Sequence, residues 1–177
     1  MSDLYERIVS QRDALPRLME RIPGFTGYLD LTARRAADRM IRDYVSGEVQ
    51  KRLTRLADVG KRLLETEGGL AHMSELESAR SKWQLYHDRV KAAAPGYQGF
   101  YELKKVDALA LEHLYSFDDA QVRFVDRLDE AVAALDQAVR DHADVSAAIE
   151  ALEQEAVEAN DAFLLRDDVI TQIGQTK

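Results

Sequence analysis

Cysteine is absent from the 177 residues of this chain, which excludes disulfides, thiolate metal sites and cysteine nucleophiles at once. The segment from Met1 to Asp13 holds acidic residues and no long apolar run, so a secretory leader is not expected. Nor does any stretch reach the roughly 18 consecutive apolar residues of a membrane-spanning helix, and no transmembrane segment is expected. Together these absences make a cytoplasmic location the expectation. Proline is scarce, at three residues, and strict alternation of apolar and polar residues occurs nowhere. Without that alternation a half-buried strand has no pattern to rest on, and the chain reads as all-α.

The few chain breakers are concentrated. Two of the three prolines and four of the nine glycines lie in two similar segments. One is Pro23, Gly24, Phe25, Thr26, Gly27, Tyr28; the other is Pro95, Gly96, Tyr97, Gln98, Gly99, Phe100, followed by Tyr101. Each copy follows an amphipathic pattern and precedes another. They read as an internal repeat of a helix-reversal loop, in which glycine permits the turn and paired aromatics plug the helix ends. The Gly-x-x-Gly cores lack the Lys-Ser/Thr of a phosphate-binding loop and follow helices instead of strands.

Apolar residues at steps of three and four predict one α-helical domain over 1–177: an elongated helical bundle of about five helices, with long antiparallel coiled-coil-like members. The predicted helices span 1–22, 30–67, 74–94, 101–116 and 118–170. Pro16 predicts a bend in the first, and Gly47 a bend or break in the second. Asp118 reads as the N-cap of the last helix, with Phe117 and Val122 as its hydrophobic staple. Its seam, from Val125 to Val139, jumps from His142 to Val145, so that helix either kinks there or projects as an arm.

Charge is unevenly distributed. Of 24 basic and 32 acidic residues, the stretch from Asp118 to Lys177 holds five basic and 15 acidic ones, which accounts for more than the net charge of −8. Such a tail repels phosphate backbones and argues against nucleic-acid binding. Arg35, Arg39 and Arg42 share one helical face, a candidate charge-pairing surface for Asp126, Asp129, Glu130 or Asp136 of the same or a neighbouring molecule.

Chemistry finds little footing. The residues three before His72, His87, His113 and His142 are Gly69, Gln84, Ala110 and Val139, so the Glu-x-x-His pairs of a carboxylate-bridged metal site are missing. No catalytic, cofactor-binding or metal-binding constellation is expected. The expected role is a non-catalytic scaffold, adaptor or self-assembling interaction protein, with a protein partner or a second copy. The alternatives are peripheral attachment to a membrane surface through the amphipathic first helix, and a small-molecule pocket or active site between helices.

Overall fold

A computed structural model of the chain describes residues 2–92 and 98–175. Among them every regular element is helical: α1 (Ser2–Val9), α2 (Ala14–Arg21), α3 (Arg34–Leu64), α4 (Met73–Ala92), α5 (Gln98–Glu102), α6 (Ala108–Asp141) and α7 (Val145–Gln175). A 3₁₀ turn over Gly69–His72 leads into α4. The all-α class is as expected, but the described residues form seven α-helices where about five were expected.

The differences have local causes. The predicted helix over 1–22 is two helices, separated at Asp13, which takes a left-handed φ of 61°. Pro16 cannot donate to the carbonyl of Arg12, as a continuous helix would require, and the Arg17 side chain takes that oxygen instead at 2.6 Å. By contrast α3 runs unbroken through Gly47.

The boundary expected at Asp118 does not exist. Asp107 caps α6, its carboxylate accepting from the Ala110 amide at 3.0 Å, and the helix then passes through Ser116, Phe117, Asp118 and Asp119, all buried. The real break comes at His142, whose φ of 51° ends α6, and Asp144 caps α7 by accepting from the Ala147 amide. The missed step in the seam is therefore a hairpin turn. The predicted 101–116 helix is replaced by the short α5, an irregular connection and the first turns of α6.

Four long helices pack side by side in the cyclic order α3, α4, α7, α6. Their directions follow from cross-helix pairs. Arg52 and Arg55 meet Asp129 and Arg62 meets Asp136, so α3 and α6 run parallel. Lys82 meets Glu153 and Arg89 meets Asn160, so α4 and α7 do too. Each hairpin, α3 to α4 and α6 to α7, supplies the antiparallel neighbours. The link from α4 to α6 therefore joins helices that are not neighbours, and its described part, residues 98–107, begins with α5. The interior is filled by residues such as Val45, Leu56, Trp83, Leu128, Leu152 and Phe163. Trp83 satisfies its indole N–H on the Leu152 carbonyl at 2.9 Å, so it is buried without an orphan donor.

The crossing link is held against α7 by backbone contact. A Cβ on Gly99 would lie 2.5 Å from the Gly174 carbonyl oxygen, and one on Gly174 would lie 2.8 Å from the Phe100 nitrogen. Backbone on both sides leaves neither clash an easy relief. Gly174→Ala should therefore destabilise by about 1–3 kcal/mol despite its better helix propensity. Gly47→Ala, with nothing within 4 Å, should stabilise by roughly 0.5–1 kcal/mol. Denaturant unfolding of the two variants checks this; a Gly174→Ala variant no less stable than wild type would mean that α5 does not rest on α7 as described.

Candidate functional site

Three charged residues stand at positions that the helical pattern reserves for apolar ones. Asp38 follows Ala37 and precedes Ile41 on α3, Asp118 lies between Leu114 and Val122 on α6, and Arg166 lies between Phe163 and Ile170 on α7. Packing brings them together. The Arg166 Nε donates to Asp118 Oδ1 at 2.6 Å and its Nη2 to Asp38 Oδ1 at 2.7 Å, with Arg166 only 2% exposed and Asp118 at 0%. Arg42 adds a second guanidinium at Asp38 Oδ2, 2.9 Å away. The Tyr28 hydroxyl donates to Asp118 Oδ2 at 2.6 Å. Two carboxylates thus face two guanidiniums, and every charge has a partner.

The two aspartates titrate in opposite directions. Burial pushes Asp38 up, but Arg166 and then Arg42 outweigh it and hold the carboxyl below its ordinary 3.8. Asp118 is wholly buried and shares its only guanidinium with Asp38, so burial wins and its carboxyl is raised. Burial and then the Asp118 charge lift the Tyr28 hydroxyl well above its ordinary value, which keeps it a donor. Arg166 stays charged, since both carboxylates outweigh the cost of its burial.

Aromatic residues from the two loop motifs converge beside this cluster. Tyr28 meets Phe25 edge to face at 5.7 Å and Phe100 at 5.6 Å, and stacks on Tyr115 at 5.5 Å with ring planes 10° apart. Tyr101 packs on Phe100 and lies under the Arg35 guanidinium. Phe25, Tyr28, Phe100 and Tyr101 are all buried, whereas Pro23 and Gly24 are exposed. Arg34 locks the two loops together, donating to the carbonyls of Tyr28, Phe100 and Leu103. Gly27 has no substitute here, because its φ is 90° and a Cβ would sit 2.5 Å from the Tyr115 hydroxyl, which accepts from the Tyr28 amide. The second motif uses its glycine differently. Gly99 lies inside α5 and serves close packing on α7, so it is no hinge. Pro95, Gly96 and Tyr97 lie outside the described residues.

The arginine face meets other partners than those expected of it. Arg42 pairs with Asp38, Arg35 covers Tyr101, and Arg39 is exposed. Asp126 is paired by Arg21, Asp129 by Arg52 and Arg55, and Asp136 by Arg62, while Arg17 holds Asp119. A stripe of acids along α6 is thus matched by arginines from α2 and from the later turns of α3. Half-exposed pairs of this kind contribute at most about 1 kcal/mol each, so they set which helices face each other more than how tightly they hold.

Two concavities are open to ligands or partners. The larger is a groove of about 940 Å³ between the α1–α2 linker, the turn after Tyr28 and the start of α6. Leu15, Pro16, Val106 and Leu111 line it, with Leu29 at 77% and Leu109 at 59% exposure among its lining residues. Its polar groups include Glu112 and His113, the latter 3.2 Å from the Tyr5 hydroxyl. The smaller, about 200 Å³, lies between α1, α6 and α7. Comparison of the chain with known protein families, with curated proteins and with solved structures finds no match. The residues themselves therefore carry the functional argument.

The buried charge cluster lies apart from both concavities. The buried Asp38, Arg166 and Asp118 border neither one, and their polar atoms are spent on each other. The face of α1 expected to meet a membrane turns inward: Ile8 is buried and Tyr5 packs on Phe117. Among the described residues no helix is long and apolar enough to cross a membrane.

Replacing Arg166 by Met would leave two carboxylates facing each other in the interior and should cost about 3–5 kcal/mol. The aspartate variants separate by pH. The lowered Asp38 contributes stability that is present above 3.8 and lost as pH falls below it, so the cost of Asp38→Asn should shrink on acidification. The raised Asp118 contributes most below 3.8 and loses that contribution as pH rises through its higher folded value, so the cost of Asp118→Asn should shrink toward neutrality. Denaturant unfolding between about pH 3 and pH 6 reads both slopes; equal slopes would contradict the assignment.

Proposed function

We propose that the protein is a non-catalytic, self-assembling interaction protein: a helical bundle that joins copies of itself end to end. The observation that carries this reading is the placement of complementary apolar features at opposite ends of α3. At its start lies the groove with Leu29 and Leu109. At its finish, Leu64 and Leu70 stand exposed on the turn into α4, Leu70 at 76%. The 31 residues of α3 separate them by roughly 45 Å. A knob at one end and a groove at the other make a heterologous contact, which propagates instead of closing after two subunits. Isolated exposed leucines need no partner, but a cavity large enough to receive two of them gives this pair one.

A pair of half-dead variants tests the reading. Leu70→Glu spoils the knob, and Leu29→Glu with Leu109→Glu spoils the groove. Light scattering across a concentration series should show wild-type protein growing beyond a dimer, each variant alone remaining monomeric, and an equal mixture stopping at a heterodimer. Wild-type protein that stays monomeric throughout would overturn the proposal. So would assembly that survives the groove variant.

A further inference from the structure

We propose that α1 is a detachable strap that exchanges between copies of the chain, and that the face of α6 beneath it is a docking surface for the α1 of a second molecule. One stripe of α6 borders both concavities. Leu109, Glu112 and Ser116 line the groove and Ala120, Arg123 and Arg127 the small cavity, at successive steps of three or four residues. From Leu109 to Arg127 that stripe runs roughly 27 Å, whereas the eight residues of α1 span about 12 Å. Ser10 and Gln11, where the chain leaves α1, line both concavities and so form the partition between them. The strap thus covers part of a longer helical face and has open space on both sides.

Little holds α1 in place. Of the side chains from Asp3 to Val9 only Ile8 is buried, with Leu4, Tyr5 and Val9 half-buried. Its polar ties to the body include the Arg7 pair with Glu158 at 2.7 Å, in which Arg7 is 53% exposed, and the Tyr5 hydroxyl 3.2 Å from His113 Nδ1. Just beyond α1, the Ser116 hydroxyl donates to the Gln11 carbonyl at 3.3 Å. Solvent-exposed ties of this kind are weak, so local opening of α1 costs far less than unfolding the bundle. The hinge favours opening as well. Asp13, the residue before α2, takes a left-handed φ of 61°, and its side chain caps nothing. That backbone strains a residue with a Cβ, and folding α1 back over α6 imposes it. What α1 contacts in its own chain it meets again, residue for residue, in a second copy. Exchange therefore gives up no contact while the hinge relaxes, which is the physical basis of a swapped dimer.

This exchange is independent of the end-to-end contact, so it is tested in full-length chains that carry Leu70→Glu. In that background Arg7→Glu and Glu158→Arg are made in separate chains. Within either variant like charges face each other where the strap meets the body, whereas the α1 of each finds an opposite charge on the body of the other. The two are unfolded together in urea and refolded at equal concentration, which removes the kinetic barrier to exchange. Native mass spectrometry should find the heterodimer roughly tenfold more abundant than either homodimer. Amide exchange over residues 3–9 should be slower in the mixture than in either variant alone. A mixture that stays monomeric would overturn the proposal. So would dimers that form as readily from one variant by itself.

Discussion

The contact between Arg166 and its two aspartates constrains everything around it. A guanidinium at 2% exposure is tolerated only where its donors meet acceptors of opposite charge, and the two acceptors come from different helices, Asp38 on α3 and Asp118 on α6. Apolar side chains can slide past one another by a turn at modest cost. A charge-assisted pair at 2.6–2.7 Å cannot, so one side chain sets the register of α3, α6 and α7 together. Tyr28 belongs to the same network through Asp118, and Tyr28 anchors the loop between α2 and α3. Through Arg34 that loop is tied to the link that crosses from α4 to α6. The corner beside the groove is therefore fixed from the interior outward.

Around this centre the acidic last third of the chain meets the basic side chains of the first. Asp119, Asp126, Asp129 and Asp136 of α6 face Arg17, Arg21, Arg52, Arg55 and Arg62, and Glu155 and Glu158 of α7 face Arg127 and Arg7. These pairs are too exposed to supply much stability singly, but they discriminate between helix neighbours of similar apolar pattern. The pairs of Arg52, Arg55 and Arg62 favour the parallel contact of α3 with α6, as Lys82 and Glu153 favour that of α4 with α7, among helices whose chain order would favour antiparallel ones.

Much of the helical content was legible because it depends on periodicity alone. Val125 and Val139 bound a seam that spacing alone defines, and both are buried on it. A break was legible where the breaker acts through its own backbone, as at Pro16. Asp118 misled because a buried aspartate and a capping aspartate have the same local sequence; its role depends on Arg166, 48 positions away. A signal was present nonetheless. Arg166 occupies a seam position between Phe163 and Ile170, and Asp118 one between Leu114 and Val122, so two apolar seams carried opposite charges that could be neutralised in the interior only by meeting. The groove was not legible, since Leu29 and Leu109 are brought near each other only by the crossing link.

Arg166 couples α3 to α6, and a triple-mutant cycle measures that coupling. Unfolding free energies of Asp38→Asn, Asp118→Asn and the double variant are compared in the wild-type chain and again with Arg166 replaced by Met. With Arg166 present the double-variant cost should depart from the sum of the single costs by roughly 0.5–3 kcal/mol; with Met at 166 the two carboxylates face each other, so either Asn should stabilise that chain by relieving the repulsion. Additive costs in the wild-type chain would mean that the two aspartates do not share one guanidinium, and the register of the three helices would have to come from elsewhere.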